Sequence, residues 1–448
     1  MIFRMILFCL CVVTISANEK PNFLIIILDD LNRFPITNVQ LIAPNIKKLS
    51  NESLVFTRAY CNSPSCFPSR TSFLTGLMPY RTGLYTNKSN WNERLFNTTT
   101  FPRLFKEKGY STYSAGKVFH RSMPEDFNKK TWTKVHQAPV GRNPNANKPV
   151  SGYKVGVKHF DWGPLKETDD DDYSDSHHAN WCADLLKQKH NDPFMVVCGL
   201  YKPHVPMYAP QKYFDLYKDL DIKLPLVKGD DIEDIPETGK AMIESRNEYK
   251  NILKENLWQE AVKSYMATIS FADVQVGKLL KALNEGPNKN NTIVILFGDN
   301  GMHQGEKMRF TKATLWEPAA GVPLIVKTPG GKTGKCHRVV SLIDLFPTLV
   351  DLAKISGDTL DGQSLVPLLK EPEKAWNSCA VTTLGIGNLS FRNENWHFIQ
   401  YVNGEEELYK HSSDPEEWFN IANKNEYEKI KTELLKYSPV VWEPPLEH

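Results

Sequence analysis

Unbroken apolar runs set the strongest limit on how this chain folds: residues 23–28 (FLIIIL), 194–200 (FMVVCGL), 292–297 (TIVILF) and, shorter, 322–326 (VPLIV). A strand wet on one face alternates apolar with polar side chains. These runs do not alternate, so both faces must be covered, as in the interior of a parallel sheet. Helical patterns lie between them. Residues 100–108 begin after Thr99, a candidate N-cap, and stop at Gly109. Residues 261–283 place Val262, Tyr265, Met266, Ile269, Val276, Leu279, Leu280 and Leu283 at three- and four-residue steps. Residues 342–352 form another amphipathic stretch, interrupted by Pro347. The alternation predicts an α/β fold with a large, mostly parallel sheet flanked by helices.

The pattern changes after about residue 375. Residues 389–402 read as strand, Asn403-Gly404 as a hairpin turn, and GEEELY as the returning strand. This predicts a small C-terminal antiparallel-sheet subdomain over 376–448, packed on a catalytic domain over 18–375. Residues 121–190, rich in Pro, Asn, Asp and Lys, read as long surface loops, and the acidic run Asp169 to Asp172 as a solvated turn.

Residues 1–17 (MIFRMILFCLCVVTISA) carry Arg4, an apolar run too short to span a bilayer, and small residues before Ala17. That is the pattern of a cleaved signal peptide. No later run approaches the ~18 apolar residues of a membrane helix, so no membrane association is expected after cleavage. An exported protein is expected, whether lysosomal, secreted or periplasmic. Loss of Cys9 and Cys11 leaves Cys61, Cys66, Cys182, Cys198, Cys336 and Cys379, too few for a disulfide scaffold. Cys198 reads as a buried thiol, and Cys336 with Cys379 as a candidate bridge. Sequons stand at Asn51, Asn87, Asn97, Asn290 and Asn388, so glycosylation is expected if the route is eukaryotic. With 54 Lys+Arg against 52 Asp+Glu the net charge is +2, which gives no support for nucleic-acid binding.

Two strand ends carry polar pairs. Asp29-Asp30 closes the first apolar run and Asp299-Asn300 follows the third. Ligands in open parallel sheets gather beyond the carboxyl ends of strands. Alone, Asp29-Asp30 reads equally as a strand exit with Asp as turn former. Together, three carboxylates and an amide oxygen suit a hard cation, Ca²⁺ or Mg²⁺, better than zinc. Spacing does not separate the two ions.

Residues 66–76 read Cys-Phe-Pro-Ser-Arg-Thr-Ser-Phe-Leu-Thr-Gly, which is C-x-P-S-R-x-x-x-L-T-G. Here the chain resembles the type I sulfatases of the alkaline-phosphatase-like superfamily. The resemblance implies oxidation of Cys66 to formylglycine by a formylglycine-generating maturation enzyme. It also implies one Ca²⁺ (with Mg²⁺ as the alternative) held by Asp29, Asp30, residue 66, Asp299 and Asn300, and a sulfated carbohydrate substrate. A sulfate monoester repels an anionic attacker. An aldehyde hydrate supplies one hydroxyl for attack on sulfur and a second to help expel sulfate, and a divalent cation offsets the charge.

The similarity continues in Gly116-Lys117-Val118-Phe119-His120, Lys202-Pro203-His204-Val205-Pro206 and the segment around Lys312. It implies that Lys117 and Lys312 contact sulfate, that His120 steadies the nucleophilic oxygen, and that His204 contacts sulfate or the ester oxygen and acts as general acid. Arg70, one turn after Cys66, is expected to pair with the hydrate or the carboxylates. These segments look most like the subgroup around iduronate-2-sulfatase. His303 and Gln304 are expected at the pocket rim, and Glu407-Leu408-Tyr409 looks structural. Choline or aryl sulfatase and phosphonate monoester hydrolase are the enzyme alternatives; a catalytically silent glycan-binding protein is the third reading.

Overall fold

The computed structural model describes residues 20–91, 93–144, 149–151, 160–357 and 360–446. The segment 1–17, read as a signal peptide, lies outside the described residues, as does part of the stretch 121–190. Among the described residues, no helix is long and apolar enough to cross a membrane.

The strands in chain order are β1 (Asn22–Leu28), β2 (Leu54–Tyr60), β3 (Ser111–Gly116), β4 (Lys134–His136), β5 (Trp162–Leu165), β6 (Phe194–Leu200), β7 (Met207–Pro210) and β8 (Thr292–Gly298). They continue as β9 (His303–Gln304), β10 (Phe310–Thr311), β11 (Gly321–Lys327), β12 (Gly334–Ser341), β13 (Ala380–Thr383), β14 (Leu389–Arg392), β15 (Trp396–Gln400) and β16 (Glu406–Lys410). The large sheet runs β12-β2-β11-β8-β1-β6-β3-β4. Its pairs are parallel except those of β11, which is antiparallel to both β8 and β2. A parallel neighbour needs a crossover to the far edge. Residues 299–320 instead stay at the carboxyl edge and turn straight back into the sheet, which keeps Lys312 beside the strand ends.

Side chains of β1 alternate between two cores. Leu24, Ile26 and Leu28 pack with the helices Ser174–Lys187 and Trp258–Glu285. Phe23, Ile25 and Ile27 pack with the helices Cys66–Thr75, Phe101–Glu107 and Leu345–Ala353. Both faces of the strand are thus dry, which is why its run shows no polar alternation.

Several expectations shift. The helix Phe101–Glu107 is preceded by Thr100, not Thr99, as its N-cap, with Pro102 in its first turn. Residues 342–352 divide into a 3₁₀ turn, Leu342–Asp344, and the helix Leu345–Ala353; Pro347 falls in the first turn, where a missing N–H costs nothing. The predicted strand 389–402 is two strands, β14 and β15, because the Asn393 side chain accepts the backbone N–H groups of Asn395 and Trp396 and turns the chain. Asn403-Gly404 does form the β15–β16 turn, with Gly404 at φ 85. The stretch 121–190 is not simply loop. It contains the helix Ser174–Lys187, whose Ala179, Cys182 and Leu186 join the core beneath a polar outer face. The acidic run is an exposed 3₁₀ turn, Asp170–Asp172, with Lys212 2.8 Å from Asp170. The expected Cys336–Cys379 bridge is absent: both are free thiols, and the Cys336 thiol donates to the Pro372 carbonyl at 3.3 Å.

β13 to β16 form the separate antiparallel sheet. Glu407 ties it to the rest of the fold: its buried carboxyl accepts from Trp316 Nε1 at 2.8 Å and from the hydroxyls of Tyr401 and Tyr409. Glu407→Ala strands these donors in a dry site. The expected loss is about 3 kcal/mol or more, read as a lower chemical-denaturation midpoint; an unchanged midpoint would remove Glu407 from this structural role.

Candidate active site

Four strand ends and one helix start meet at the carboxyl edge of the sheet. β1 delivers Asp29 and Asp30, β8 delivers Asp299 and Asn300, β3 leads to Lys117, β6 leads to His204, and the helix Cys66–Thr75 begins at Cys66. Successive residues of an extended strand point to opposite faces. Asp30 avoids this by taking a left-handed backbone, φ 62, a conformation that Asp tolerates better than most residues. Both carboxylates therefore enter the same pocket. Lys117 is brought in by a close strand contact. A Cβ on Gly116 or Gly199 would lie 2.0 Å from backbone oxygen of the partner segment, so only glycine fits at either place.

The carboxylates are buried and fully engaged. Asp299 Oδ1 accepts the Asp30 and Asn300 backbone N–H groups, each at 2.9 Å, and its Oδ2 accepts Arg70 Nε at 2.8 Å. Arg70 Nη2 lies 3.3 Å from Asp29 Oδ1. Lys117 pairs with Asp29, and Lys312 pairs with Asp30 and donates to Cys66 Sγ at 2.7 Å. Cys66 Sγ is 3.4 Å from Asp30 Oδ1, and His204 Nε2 is 3.6 Å from Asp30 Oδ2. Three carboxylates are thus balanced by three permanent cations, which is how charges of this density survive burial. Lys312 is flanked by Thr311 and Ala313, both at positive φ (78 and 65), strain of the kind held at functional sites by surrounding structure.

Burial alone would raise Asp29, yet Lys117, His204, Arg70 and Lys312 hold it well below the carboxylate range. Burial lifts Asp299 to about 6 against the pull of Arg70. Burial, then Asp29 and Asp30, push the Cys66 thiol well above its ordinary value. A cysteine nucleophile needs the thiolate, so these surroundings are ill suited to an unmodified Cys66. Burial and then the nearby Lys117 bring His120 to about 3, and burial brings His204 to about 4, so both rings are neutral at neutral pH. The Nδ1–H of His204 is directed at the Val205 carbonyl. Its Nε2 can donate only from the doubly protonated ring, a state that an adjacent anion favours. His120 stands edge-on to Phe67, with Nδ1 unbonded.

The donor set fits a hard cation. One ligand atom each from Asp29, Asp30, Cys66 and His204 lies within 4.8 Å of the others, and the buried Asn300 Oδ1 has no hydrogen-bond partner. An orphaned amide oxygen beside carboxylates is a natural cation ligand.

One expected feature does not hold. His303 and Gln304 are not at a rim but fully buried; His303 bonds Thr314 Oγ1 at 2.6 Å and the Glu306 carbonyl at 2.9 Å. Lys202 points away from the carboxylates, and its ammonium bonds Asn143 Oδ1 at 2.7 Å and the Pro206 carbonyl at 2.8 Å.

Three supports are not read from sequence as site residues, although Ser69 is a fixed position of the 66–76 signature. Ser69 donates to the Asp299 carbonyl at 2.5 Å, and Tyr265 to the Asp30 carbonyl at 2.7 Å. Asn87, noted in the sequence only as a sequon, accepts the Phe67 N–H at 2.9 Å. The N-cap Ser65 makes no side-chain cap bond, so a distant amide satisfies the first turn of the helix that carries Cys66.

Known proteins resemble this chain over most of its length. The sulfatase family profile matches residues 21–355, and a second profile, N-sulphoglucosamine sulphohydrolase, C-terminal, matches 305–438. A sulfatase of Formosa agariphila is 34% identical over 440 residues, covering 93% of this chain and 86% of that protein. Human iduronate 2-sulfatase is 29% identical over 79% of this chain and 69% of its own length, and Rhizobium meliloti choline-sulfatase 29% over 90% and 82%. Among solved structures, the 2-O GAG sulfatase BT1596 superposes with a TM-score of 0.71 at 24% identity, covering 93% of this chain and 90% of its own. The phosphonate monoester hydrolase of Agrobacterium radiobacter does so with 0.75 at 19% identity, covering 93% and 94%. The chain belongs to the sulfatase family, hydrolases of sulfuric esters.

Proposed function

We propose that this protein hydrolyses sulfate esters of a carbohydrate of glycosaminoglycan type, in the manner of iduronate 2-sulfatase, with residue 66 acting as formylglycine beside a divalent cation. The convergence of Asp29, Asp30, Cys66, Asp299 and Asn300 with Arg70, Lys117 and Lys312 in one buried cluster carries the reading. Asp29, Asp30, Asp299, Asn300 and residue 66 would hold Ca²⁺, or Mg²⁺ in its place, which supplies charge stabilisation at the reacting sulfate when bound. Formylglycine, made by a maturation enzyme, would supply a hydrated aldehyde as the nucleophile.

The chain's own side chains do the remaining work. Lys117 and Lys312 bind and orient sulfate oxygens. Arg70 braces Asp29 and Asp299 so that neither turns away. His120 accepts a hydrogen bond from the attacking hydroxyl through its free nitrogen. His204 becomes protonated against the bound anion and donates to the leaving oxygen. We assign catalysis to residues 18–375, with 376–448 as a supporting subdomain, in an exported, signal-bearing protein of lysosome, secretion or periplasm.

Support for the carbohydrate comes from relatives: iduronate 2-sulfatases of mouse and human, and a structural neighbour solved with its substrate D-glucosamine-2-N,6-O-disulfate. The choline-sulfatase and arylsulfatase relatives and the phosphonate monoester hydrolase neighbour favour the second reading. Turnover of a panel containing 2-sulfated uronate disaccharides, aryl sulfate, choline sulfate and a phosphonate monoester separates them. The proposal expects the disaccharides to have the highest kcat/KM and activity to fall on dialysis against chelator and return with Ca²⁺ or Mg²⁺. Preference for aryl or choline sulfate, or full activity without divalent ion, would overturn it.

A further inference from the structure

Tyr201 is the first residue beyond β6, and its ring has a cation on each of two approaches. Lys117 Nζ, which pairs with Asp29 inside the site, is 5.7 Å from the ring centroid; the Arg142 guanidinium is 5.8 Å from it. The two cations are therefore separated by no more than the sum of those distances. Lys117 is buried, Tyr201 half-buried and Arg142 exposed, so the series leads from the carboxylates out to solvent. Exposed arginines are common and by themselves mean little. This one is held in place. The Gly141 carbonyl accepts the Ser174 N–H at 3.1 Å, and the buried Asn143 side chain accepts Lys202 Nζ at 2.7 Å, so residues on either side of Arg142 are tied to other elements. Tyr201 is fixed as well, its N–H donated to Asp175 Oδ1 at 2.9 Å. Among the described residues no carboxylate pairs with Arg142.

A planar guanidinium that is preoriented on an aromatic ring, one ring away from a sulfate-site lysine and without an anionic partner, is built to receive an anion. We propose that Arg142 is a specificity residue that binds a second anionic group, carboxylate or sulfate, on the sugar whose sulfate ester is cleaved. The inference rests on the carbohydrate-sulfatase reading and sharpens it: the preferred substrates are dianionic. Sulfate esters with a single charge lack this contact and gain nothing from Arg142.

The test compares R142A with wild type on matched sulfated sugars: a 2-sulfated uronate, the same sugar with its carboxylate reduced to an alcohol, and a disulfated hexosamine. Arg142 touches none of the buried carboxylates, so turnover of the reduced, singly charged sugar is expected to stay within about twofold of wild type. Losing a charged hydrogen bond costs roughly ten- to a hundredfold. That loss in kcat/KM, mostly through KM, is expected on whichever dianionic sugar the site accepts, with partial recovery in R142K. A loss on the uronate alone identifies the carboxylate, and on the hexosamine alone the second sulfate. Equal loss on all three sugars, with a lowered melting temperature, would make Arg142 a loop brace and overturn the proposal, as would no loss on any. If wild type cleaves none of the sugars but does cleave aryl sulfate, the carbohydrate reading itself fails.

Discussion

Cys66→Ala is expected to lower kcat by more than about 10⁴-fold, the scale seen when a covalent nucleophile is deleted, while leaving a folded protein. The two effects separate because of what the thiol touches. Its neighbours are Asp30 at 3.4 Å and Lys312 at 2.7 Å, which also bond each other and so remain paired when the sulfur is removed. The helix that begins at residue 66 is held by Asn87 on the Phe67 N–H, by Ser69 on the Asp299 carbonyl and by Arg70, none of which needs the cysteine. The stability change should stay near about 1 kcal/mol, the ordinary cost of one substitution. Undiminished turnover in Cys66→Ala would refute the nucleophile assignment; collapse of the fold would show that the thiol has a structural role absent from these contacts.

Asp299→Ala is expected to damage both stability and chemistry. Its carboxylate accepts two backbone N–H groups and Arg70 Nε, and all three donors are buried. Removing it leaves Arg70 with Asp29 at 3.3 Å as its remaining carboxylate partner. Breaking a buried charged pair from one side costs about 3–5 kcal/mol, so a marked fall in unfolding midpoint is predicted, together with loss of bound divalent ion and most activity. Asp299→Asn keeps the volume and an acceptor oxygen. It should recover much of the stability but not the ion affinity or turnover, which distinguishes the ligand role from the structural one. Asp299→Ala protein that retains a stoichiometric divalent ion would count against the ligand set.

The candidate site's edge of the sheet was legible in sequence where local pattern and chemistry coincide. Runs without polar alternation placed β1, β6 and β8 in a sheet interior, and the polar pairs at the ends of β1 and β8 sit where strand ends gather ligands. The segment 66–76 carried its own signature. What stayed hidden depends on long-range partners. The antiparallel course of β11 follows from the path of residues 299–320, not from the apolar run itself. His303 reads as a polar rim residue until Thr314, eleven positions on, satisfies it inside the fold. Lys202 stands two residues before His204, yet its ammonium turns to Asn143. The helix Ser174–Lys187 was masked by its polar outer face, and Asn87 caps a helix twenty residues earlier in the chain. Nothing in a window around any of these residues encodes the partner.

The most direct test is peptide mass analysis across residue 66, on protein produced with and without a formylglycine-generating enzyme and assayed for sulfate release in parallel. The account predicts that CH₂SH is replaced by CHO at residue 66 and that specific activity rises in proportion to the aldehyde fraction. Full sulfatase turnover from protein whose residue 66 is entirely cysteine would contradict it.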